Sequence, residues 1–514
     1  MRRSLNAKRN IFAGLFNKVI VLILPFVVRT IIIKTLGADY LGLSSLFSSI
    51  LQVLNLTELG FSSAVVFSLY KPLAENDNDL VCALMSYYRR VYTIIGIVII
   101  VGGVIVSPFL PKLIKGSWPD NINIYLLFYI YLRNTAISYL LFSYKTALLI
   151  ASQRNDIDLN ITTWTVLAQY AVQIIVLFST HNFYIYALVL LVFTIFGNLL
   201  RAYITDKKFP QFKPHGTLRK DRIHDINQRV AGAFVQRLCA TTRNSLDSIF
   251  LSAFLGLTTI SIYGNYYLIM SSIHGILWVI VTAIMAGIGD SIASESIQKN
   301  YNDLRKFSFM YTWISGFCTV CLICLFQPFM ELWVGPELMF PFSTVIMFCV
   351  YFYSLTMGDI RSAYTTGAGL WWEGRYRSVA ETICNVALNW ILGYFFGVNG
   401  IILATIISIV FINFIWGTQI VFKYYFKAMS IKAYYKDQCY YLIVTVITCI
   451  FSFFVCSYIS TDIFPVFYVV IIRLFISALL PNIIFFLVYR KNRYFKESIS
   501  LIKQIIPIRK KISN

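Results

Sequence analysis

Long apolar stretches separated by short polar gaps occur along the whole chain. Stretches of about 18 or more apolar residues recur, and each is long enough to cross a hydrocarbon core of about 30 Å as a helix. The alternation of apolar and polar positions that is typical of membrane β-barrels is absent from the sequence. The pattern predicts about fourteen membrane-spanning helices, at about 11–33, 40–70, 88–109, 122–150, 158–179, 184–204, 230–256, 260–290, 307–327, 341–370, 378–396, 400–422, 438–459 and 465–489.

Two parts of the chain resemble each other at an offset of about 220 residues. Gly37 corresponds to Gly256, and Tyr144 corresponds to Tyr364. Repeats at one offset are typical of duplicated membrane transporters. We therefore expect an all-α polytopic membrane protein in which two six-helix lobes, related as a parallel repeat, precede a C-terminal helix pair.

The overall composition agrees with a membrane protein. Of the 514 residues, 58% are hydrophobic and only 13% are charged, whereas a soluble protein of this length needs more polar residues to cover its core. Nearly all of the ten cysteines lie inside apolar stretches, where cysteine usually packs as a small apolar residue. The sequence therefore predicts neither a disulfide framework nor a metal site.

The net charge of +21 could reflect either nucleic-acid binding or membrane topology, and the distribution of the basic residues distinguishes the two. Of the 44 lysines and arginines, 33 lie in the N-terminus, the C-terminal tail and the gaps after even-numbered helices, if Arg89, Arg90 and Arg201 at the bordering span ends are counted with these gaps. Three lie in the opposite gaps, and eight lie deeper within the spans. Such a bias over short loops predicts that both termini are cytoplasmic. Because the charges are spread over many loops, they do not indicate a nucleic-acid-binding domain.

The repeat and the charge distribution together predict the domain boundaries. We expect an N-terminal lobe at 1–204, a basic cytoplasmic linker at 205–229, a C-terminal lobe at 230–422, helices 13 and 14 at 423–489 and a basic cytoplasmic tail at 490–514.

Ionisable residues inside the predicted spans are the candidate functional groups. Charged side chains are costly in lipid, so they usually face a cavity or a partner. The acids are Glu58, Asp247 and Asp359. The bases are Lys18, Arg29, Arg133, Lys145, Arg237, Arg243, Arg361 and Arg473. This excess of bases favours an anionic ligand, and the planar fork of arginine suits phosphate.

Five arginines are the candidates for a cationic, substrate-binding cavity: Arg29, Arg133, Arg237, Arg243 and Arg361. The three acids, Glu58, Asp247 and Asp359, are candidates for binding a coupling ion or for balancing a nearby cation.

Structural alternatives exist for several of these residues. Arg29 lies near a helix end and could extend to the membrane interface. Arg243 and Asp247 are four residues apart, a spacing that also suits an internal ion pair. Arg473 could serve a lipid headgroup or pair with a backbone carbonyl.

Two short motifs near the N-terminus indicate a family. The segment from Lys34 to Gly42 reads Lys-Thr-Leu-Gly-Ala-Asp-Tyr-Leu-Gly, and Glu58-Leu-Gly60 follows it. These motifs resemble the polysaccharide-export branch of the multidrug/oligosaccharidyl-lipid/polysaccharide (MOP) exporter superfamily, and in particular the Wzx-type flippases of O-antigen and capsule repeat units. The resemblance implies a two-lobed bundle with a central cavity that opens alternately to the two faces of a bacterial cytoplasmic membrane.

The resemblance also implies the cargo and the partners. The expected function is translocation of undecaprenyl-pyrophosphate-linked oligosaccharide for cell-surface polysaccharide synthesis, alongside membrane lipids and other polysaccharide assembly proteins. No cofactor is expected apart from a coupling proton or sodium ion. Two alternatives are a cation-coupled small-molecule exporter of the same superfamily and a membrane polysaccharide polymerase or glycosyltransferase. An enzyme of that kind usually needs a large external loop or paired carboxylates, and the sequence has neither; we therefore expect a transporter.

Overall fold

Helices form all the regular secondary structure in the described part of the chain. The computed structural model describes residues 2–55, 61–220, 223, 226, 245–461 and 463–505. Its α-helices are α1 Arg2–Thr35, α2 Ala38–Leu54, α3 Phe61–Glu75, α4 Asn78–Val106, α5 Ile124–Leu140, α6 Tyr144–Ala151, α7 Asn155–Thr180, α8 Phe183–Lys208, α9 Ser245–Leu255, α10 Leu257–Ser294, α11 Ile297–Val334, α12 Phe342–Met357, α13 Asp359–Gly367, α14 Arg375–Ile407, α15 Gly417–Tyr424, α16 Ile431–Ser457, α17 Val466–Tyr489 and α18 Arg493–Ile505. A π-helical segment, Ser408–Trp416, joins α14 to α15. The prediction of an all-α polytopic membrane fold is confirmed.

The number of spans depends on how broken helices are counted. Within the described ranges, ten helices are long and apolar enough to cross a membrane, or eleven if α5 and α6, bent by 48°, form one span. The stretch Arg375–Tyr424 counts once here, although the sequence predicts two spans in it. Its helix is interrupted at Gly397, where φ is 57°. The predicted seventh span is 230–256, and its residues 230–244 lie outside the described residues.

The repeat seen in the sequence recurs as a structural pattern. Gly37 and Gly256 both have a positive φ, 111° and 92°, and each directly precedes a helix. Glycine adopts this backbone region without the steric cost that a side chain brings. Tyr144 and Tyr364 are both buried, and each lies in the short second part of a broken helix, α6 or α13.

Repeat-related segments also contact each other directly. The Thr258 hydroxyl at the start of α10 donates to Asp39 Oδ1 at the start of α2, at 2.5 Å, and these residues are 219 positions apart. A Cβ atom added at Gly42 would lie 2.8 Å from the carbonyl carbon of Leu257 and closer still to its oxygen. Glycine at position 42 therefore permits the close approach of these two backbones.

The chain divides into two compact units, Met1–Ser261 and Ile262–Asn514. In the first unit, α1 packs on α7, and α5 packs on α4 and α8. In the second unit, α11 is the central helix, and it packs on α12, α16, α17 and α18.

The polar segment Tyr70–Asp77 lies in the gap between the predicted spans 40–70 and 88–109, but most of it is helical. Helix α3 continues to Glu75 with Pro72 inside it. Proline removes only one backbone donor, so one more helical turn can follow it near a helix end. The helix stops where Asn76 adopts a φ of 57°, and Asp77 then caps α4 by accepting from the Leu80 amide at 3.0 Å.

The basic C-terminal tail contains a helix that the sequence analysis did not predict. Helix α18 places Tyr494 in a buried position, and Phe495 stacks on Trp313 of α11 with ring centroids 5.5 Å apart. Arg305 lies over the Tyr494 ring at 5.1 Å, and its guanidinium also bonds Asp437 Oδ2 at 2.6 Å. Aromatic packing therefore holds this part of the tail against α11.

The bias of basic residues makes a prediction about topology. A reporter fused after Asn514 should be cytoplasmic, and a reporter inserted near Pro119, between α4 and α5, should be outside. A cysteine placed in each reporter is labelled with a membrane-impermeant thiol reagent in intact and in opened cells. The comparison shows on which side of the membrane each reporter lies. A C-terminus that is labelled from outside intact cells would contradict the fourteen-span topology.

Candidate functional site

The structure places the predicted site residues in several environments. Arg29 and Arg133 lie in the first unit, on α1 and α5, and Asp247 lies on α9. Asp359 and Arg361 lie in the second unit, on α13. Three other candidates, Glu58, Arg237 and Arg243, lie outside the described residues.

Arg29 is partly buried beside tyrosines of its unit. Its Nη2 atom lies 3.4 Å from the backbone carbonyl oxygen of Ser261, and its guanidinium interacts electrostatically with Tyr186. Tyr186 in turn lies near Tyr131 and Tyr170. This arrangement places a permanent cation beside hydroxyl groups that can donate to or accept from a polar ligand.

The other two candidates of the first unit differ in exposure. Arg133 is exposed on α5, two residues from Tyr131. Asp247 is only 1% exposed. The predicted ion pair between Asp247 and Arg243 stays a prediction, because Arg243 lies outside the described residues.

Arg361 belongs to a buried polar network. It is 2% exposed, and its Nη2 atom donates to the backbone oxygen and to Oδ1 of Asn413 at 2.9 and 2.8 Å. Asn413 Nδ2 donates to Glu381 Oε2 at 2.9 Å, and Arg377 Nη1 bonds the same oxygen at 3.1 Å. Asn413 thus connects an arginine on α13 to an acid–base pair on α14.

Local backbone features make room for the Arg361 guanidinium. Asn413 lies in the π-helical segment, a form that often occurs at functional sites. A Cβ atom on Gly417 would lie 2.7 Å from Arg361 Nη1, and one on Gly358 would lie 3.1 Å from Nη2. Both glycines therefore leave space that the guanidinium fills.

Asp359 has two close partners on other helices. His274 Nε2 of α10 lies 3.0 Å from Asp359 Oδ2, and the Tyr311 hydroxyl of α11 donates to the same oxygen at 2.6 Å. The Asp359 side chain is 9% exposed and that of His274 is 21% exposed. Three helices thus bring a carboxylate, an imidazole and a phenol together within the apolar part of the second unit.

A cavity of about 570 Å³ lies next to this cluster. Mostly apolar side chains of α10 and α11 line it, together with the rings of Tyr311 and Tyr364. Lys299 and Asp303, near the start of α11, also line it. Its volume lies in the range of sites for small molecules. Tyr311 therefore faces the cavity while its hydroxyl bonds Asp359.

Some of the other bases within the spans have structural partners. Lys145 Nζ bonds Asp206 Oδ2 at 2.6 Å. Arg473 donates to the backbone oxygens of Ile459 and Cys324 at 2.9 and 3.3 Å, which is the carbonyl pairing that the sequence analysis held open. In the part of the chain that the structure describes, no group of three histidine, cysteine or acidic side chains could hold a metal ion.

The sequence does not predict the partners of the two charges on α13. His274 could have been noticed, since it is the one histidine inside a predicted span. Tyr311 and Asn413 gave no such signal, because tyrosine and asparagine occur at many positions of this chain. Their roles depend on contacts between residues 48 and 52 positions apart.

Comparisons with known proteins identify solved structures that have a similar fold. No protein-family model matches the sequence, and no curated protein matches it. Among solved structures, the lipid II flippase MurJ in an inward closed conformation superposes with a TM-score of 0.63 at 15% identity, over 94% of this chain and 98% of that one. The chain shares its fold with this flippase structure.

Two MATE transporters of the same fold extend the comparison. An inward-facing MATE-family multidrug resistance transporter of the MOP superfamily has a TM-score of 0.59 at 14% identity, covering 80% of this chain and 96% of that one. A mutant form of the Vibrio cholerae MATE transporter VcmN has a TM-score of 0.54 at 12% identity, covering 82% and 98%. At such identities the likeness concerns the fold alone, and the Wzx-type branch stays a prediction.

Proposed function

We propose that the protein is a flippase that moves undecaprenyl-pyrophosphate-linked oligosaccharide from the cytoplasmic to the outer leaflet for cell-surface polysaccharide synthesis. The observation that carries this proposal is the extent of the structural match. The lipid II flippase matches 94% of the chain, whereas the two MATE transporters match 80% and 82%. This greater coverage supports the proposal of a lipid-linked cargo.

The chemistry of the cargo explains what the protein must supply. A diphosphate and its sugars cannot cross hydrocarbon unaided, because each polar group would lose its hydrogen bonds with water. A polyprenyl tail has no such cost. The protein thus needs a polar, cationic route for the headgroup, which alternating access of a two-lobed bundle provides.

Arg29 is the described residue best suited to the diphosphate. Its guanidinium interacts electrostatically with Tyr186, which interacts in turn with Tyr131 and Tyr170. Arginine binds phosphate oxygens through two parallel hydrogen bonds. Tyrosine rings add an apolar face and a hydroxyl, a combination that suits sugars.

The test is a flipping assay in proteoliposomes with a fluorescent undecaprenyl-pyrophosphate oligosaccharide. Losing a charge-assisted hydrogen bond costs about 1.5–3 kcal/mol, so Arg29→Gln is expected to weaken cargo binding about ten- to a hundredfold. Lys112→Gln is the matched control, because Lys112 is an exposed cation outside the α-helices. Equal flipping by Arg29→Gln and the wild type would contradict the role of Arg29, and no flipping by the wild type would contradict the function.

A cation-coupled exporter of small molecules is the second candidate. The cavity of about 570 Å³ with its mostly apolar wall favours this candidate, because small organic ligands bind in such sites. The same proteoliposomes can be loaded with a fluorescent organic cation under an imposed ion gradient. Gradient-driven accumulation of that cation, without flipping of the lipid-linked oligosaccharide, would select this candidate.

A further inference from the structure

We propose that His274, Asp359 and Tyr311 form a proton-binding site in the second unit, and that the proton is carried on His274. Both partners of Asp359 contact one oxygen atom, Oδ2, at 3.0 Å from His274 Nε2 and 2.6 Å from the Tyr311 hydroxyl. The site needs no cargo, so it goes beyond the proposed function and can be tested without it.

The charge of the cluster changes with one proton. With a neutral imidazole, the ionised carboxylate leaves a net charge of −1 in a setting where a charge is costly. With an imidazolium, the histidine and the carboxylate form a neutral ion pair. Histidine is the side chain that changes its charge within the physiological pH range, so this cluster can alternate between the two states.

The geometry favours a proton over a sodium ion. Hard metal cations take several oxygen ligands, whereas Oδ2 of Asp359 is already engaged by a nitrogen and by a hydroxyl donor. No other acidic side chain joins the cluster to form a three-residue metal site within the described ranges. A proton requires only the imidazole and its hydrogen-bonded carboxylate.

The cavity supplies a route to the cluster from one end of the unit. Lys299 and Asp303 line the cavity near the turn between α10 and α11, which the distribution of basic residues predicts to be cytoplasmic. Tyr311 lines the same cavity and donates to Asp359. A proton that enters with water from this end thus meets the hydroxyl that already bonds the carboxylate.

The neighbouring charged groups do not replace His274 as the partner of Asp359. Arg361, two residues away on α13, interacts electrostatically with Asp359 but donates hydrogen bonds to Asn413. Behind it lie the Arg377–Glu381 ion pair of α14 and Tyr434 of α16. On the cavity side, Lys299 bonds Glu295 at 2.5 Å and Asp303 bonds Lys306 at 2.5 Å.

Trp278 provides an internal probe of the imidazole. Its ring centroid lies 6.2 Å from that of His274, one helical turn away on α10. An imidazolium quenches the fluorescence of a neighbouring indole more strongly than a neutral imidazole does. The Trp278 signal is isolated as the difference between the full-length protein and its Trp278→Phe variant in lipid nanodiscs.

We expect this difference signal to fall as the pH is lowered from about 8 to 5. His274→Gln, made with and without Trp278→Phe, should lose the whole pH response. Asp359→Asn removes the counter-charge of the imidazolium, so the transition should move to lower pH. Tyr311→Phe frees the carboxylate from a competing donor, so the transition should move to higher pH. His181→Gln is the matched control, because His181 is exposed at the end of α7.

Several results would overturn the proposal. One is a difference signal that does not respond to pH in the wild type, and another is a full response in His274→Gln. Shifts of Asp359→Asn and Tyr311→Phe in the same direction would also contradict it. Replacing choline by sodium at constant pH should leave the signal unchanged, and a sodium-dependent signal without pH dependence would assign the site to sodium. Thermal melting of each variant checks that it folds. If His274→Gln fails to fold, the opposite shifts expected for Asp359→Asn and Tyr311→Phe still test the proposal.

Discussion

Replacing Arg361 by alanine is expected to lower the free energy of unfolding by about 3–5 kcal/mol. Two effects add together. The guanidinium fills space beside Gly417 and Gly358, so its loss leaves a cavity. Asn413 also loses the donor to its side-chain and backbone oxygens, and unsatisfied buried acceptors are costly.

Thermal melting in detergent, followed by size-exclusion chromatography, measures this effect. Lys423→Ala is the control, since Lys423 is an exposed cation at the end of α15, and it should melt within error of the wild type. Arg361→Lys should recover only part of the loss, because an ammonium group is a point charge that does not reproduce the planar fork. Wild-type melting of Arg361→Ala would show that the network does not stabilise the second unit.

Replacing Gly42 by alanine is expected to destabilise the first unit by about 3 kcal/mol. The added methyl group would overlap the carbonyl of Leu257, and a backbone carbonyl cannot move aside as a flexible side chain can. Alanine otherwise favours a helix over glycine by about 1 kcal/mol, so any loss must come from the clash.

A matched substitution separates the two effects. Gly14 is also a helical glycine of the first unit, but the nearest atom to a Cβ added there is a Leu159 side-chain carbon at 3.9 Å. Gly14→Ala should therefore melt at or above the wild-type temperature, whereas Gly42→Ala should melt well below it. Equal behaviour of the two variants would mean that the contact at Leu257 is not tight in solution.

The sequence predicts the helices well because a membrane leaves the backbone few choices. A helix satisfies its own hydrogen bonds in hydrocarbon, so each long apolar stretch becomes one. Breaks within helices are harder to predict. Gly397 interrupts Arg375–Tyr424 without ending it, and Pro72 lies within α3 although the polar residues around it suggest a loop.

Helix α18 was missed for a different reason. Its basic residues dominate the composition of the tail, whereas its stability depends on Tyr494 and Phe495 meeting aromatic residues of α11. Such a contact joins residues about 180 positions apart, and hydropathy along a single chain does not contain it.

The candidate site shows the same limit. The sequence identifies Asp359 and Arg361 as charges inside a span but cannot say what each one faces. In the structure, neighbouring positions on α13 direct Asp359 to His274 and Tyr311, and Arg361 to Asn413. Charge alone could not distinguish these two environments, because each depends on helices that meet only in the folded protein.

The contact between Asp39 and Thr258 depends on both repeats being parts of one chain. These residues occupy positions that the 219-residue offset makes equivalent, yet they bond each other. In an ancestor made of two identical subunits, the residue at this position would have faced its own copy, where two aspartates would repel each other and two threonines could share a hydrogen bond. A single chain can place an acid at one of the two positions and a hydroxyl at the other. A symmetric dimer of identical subunits could not form this asymmetric hydrogen bond.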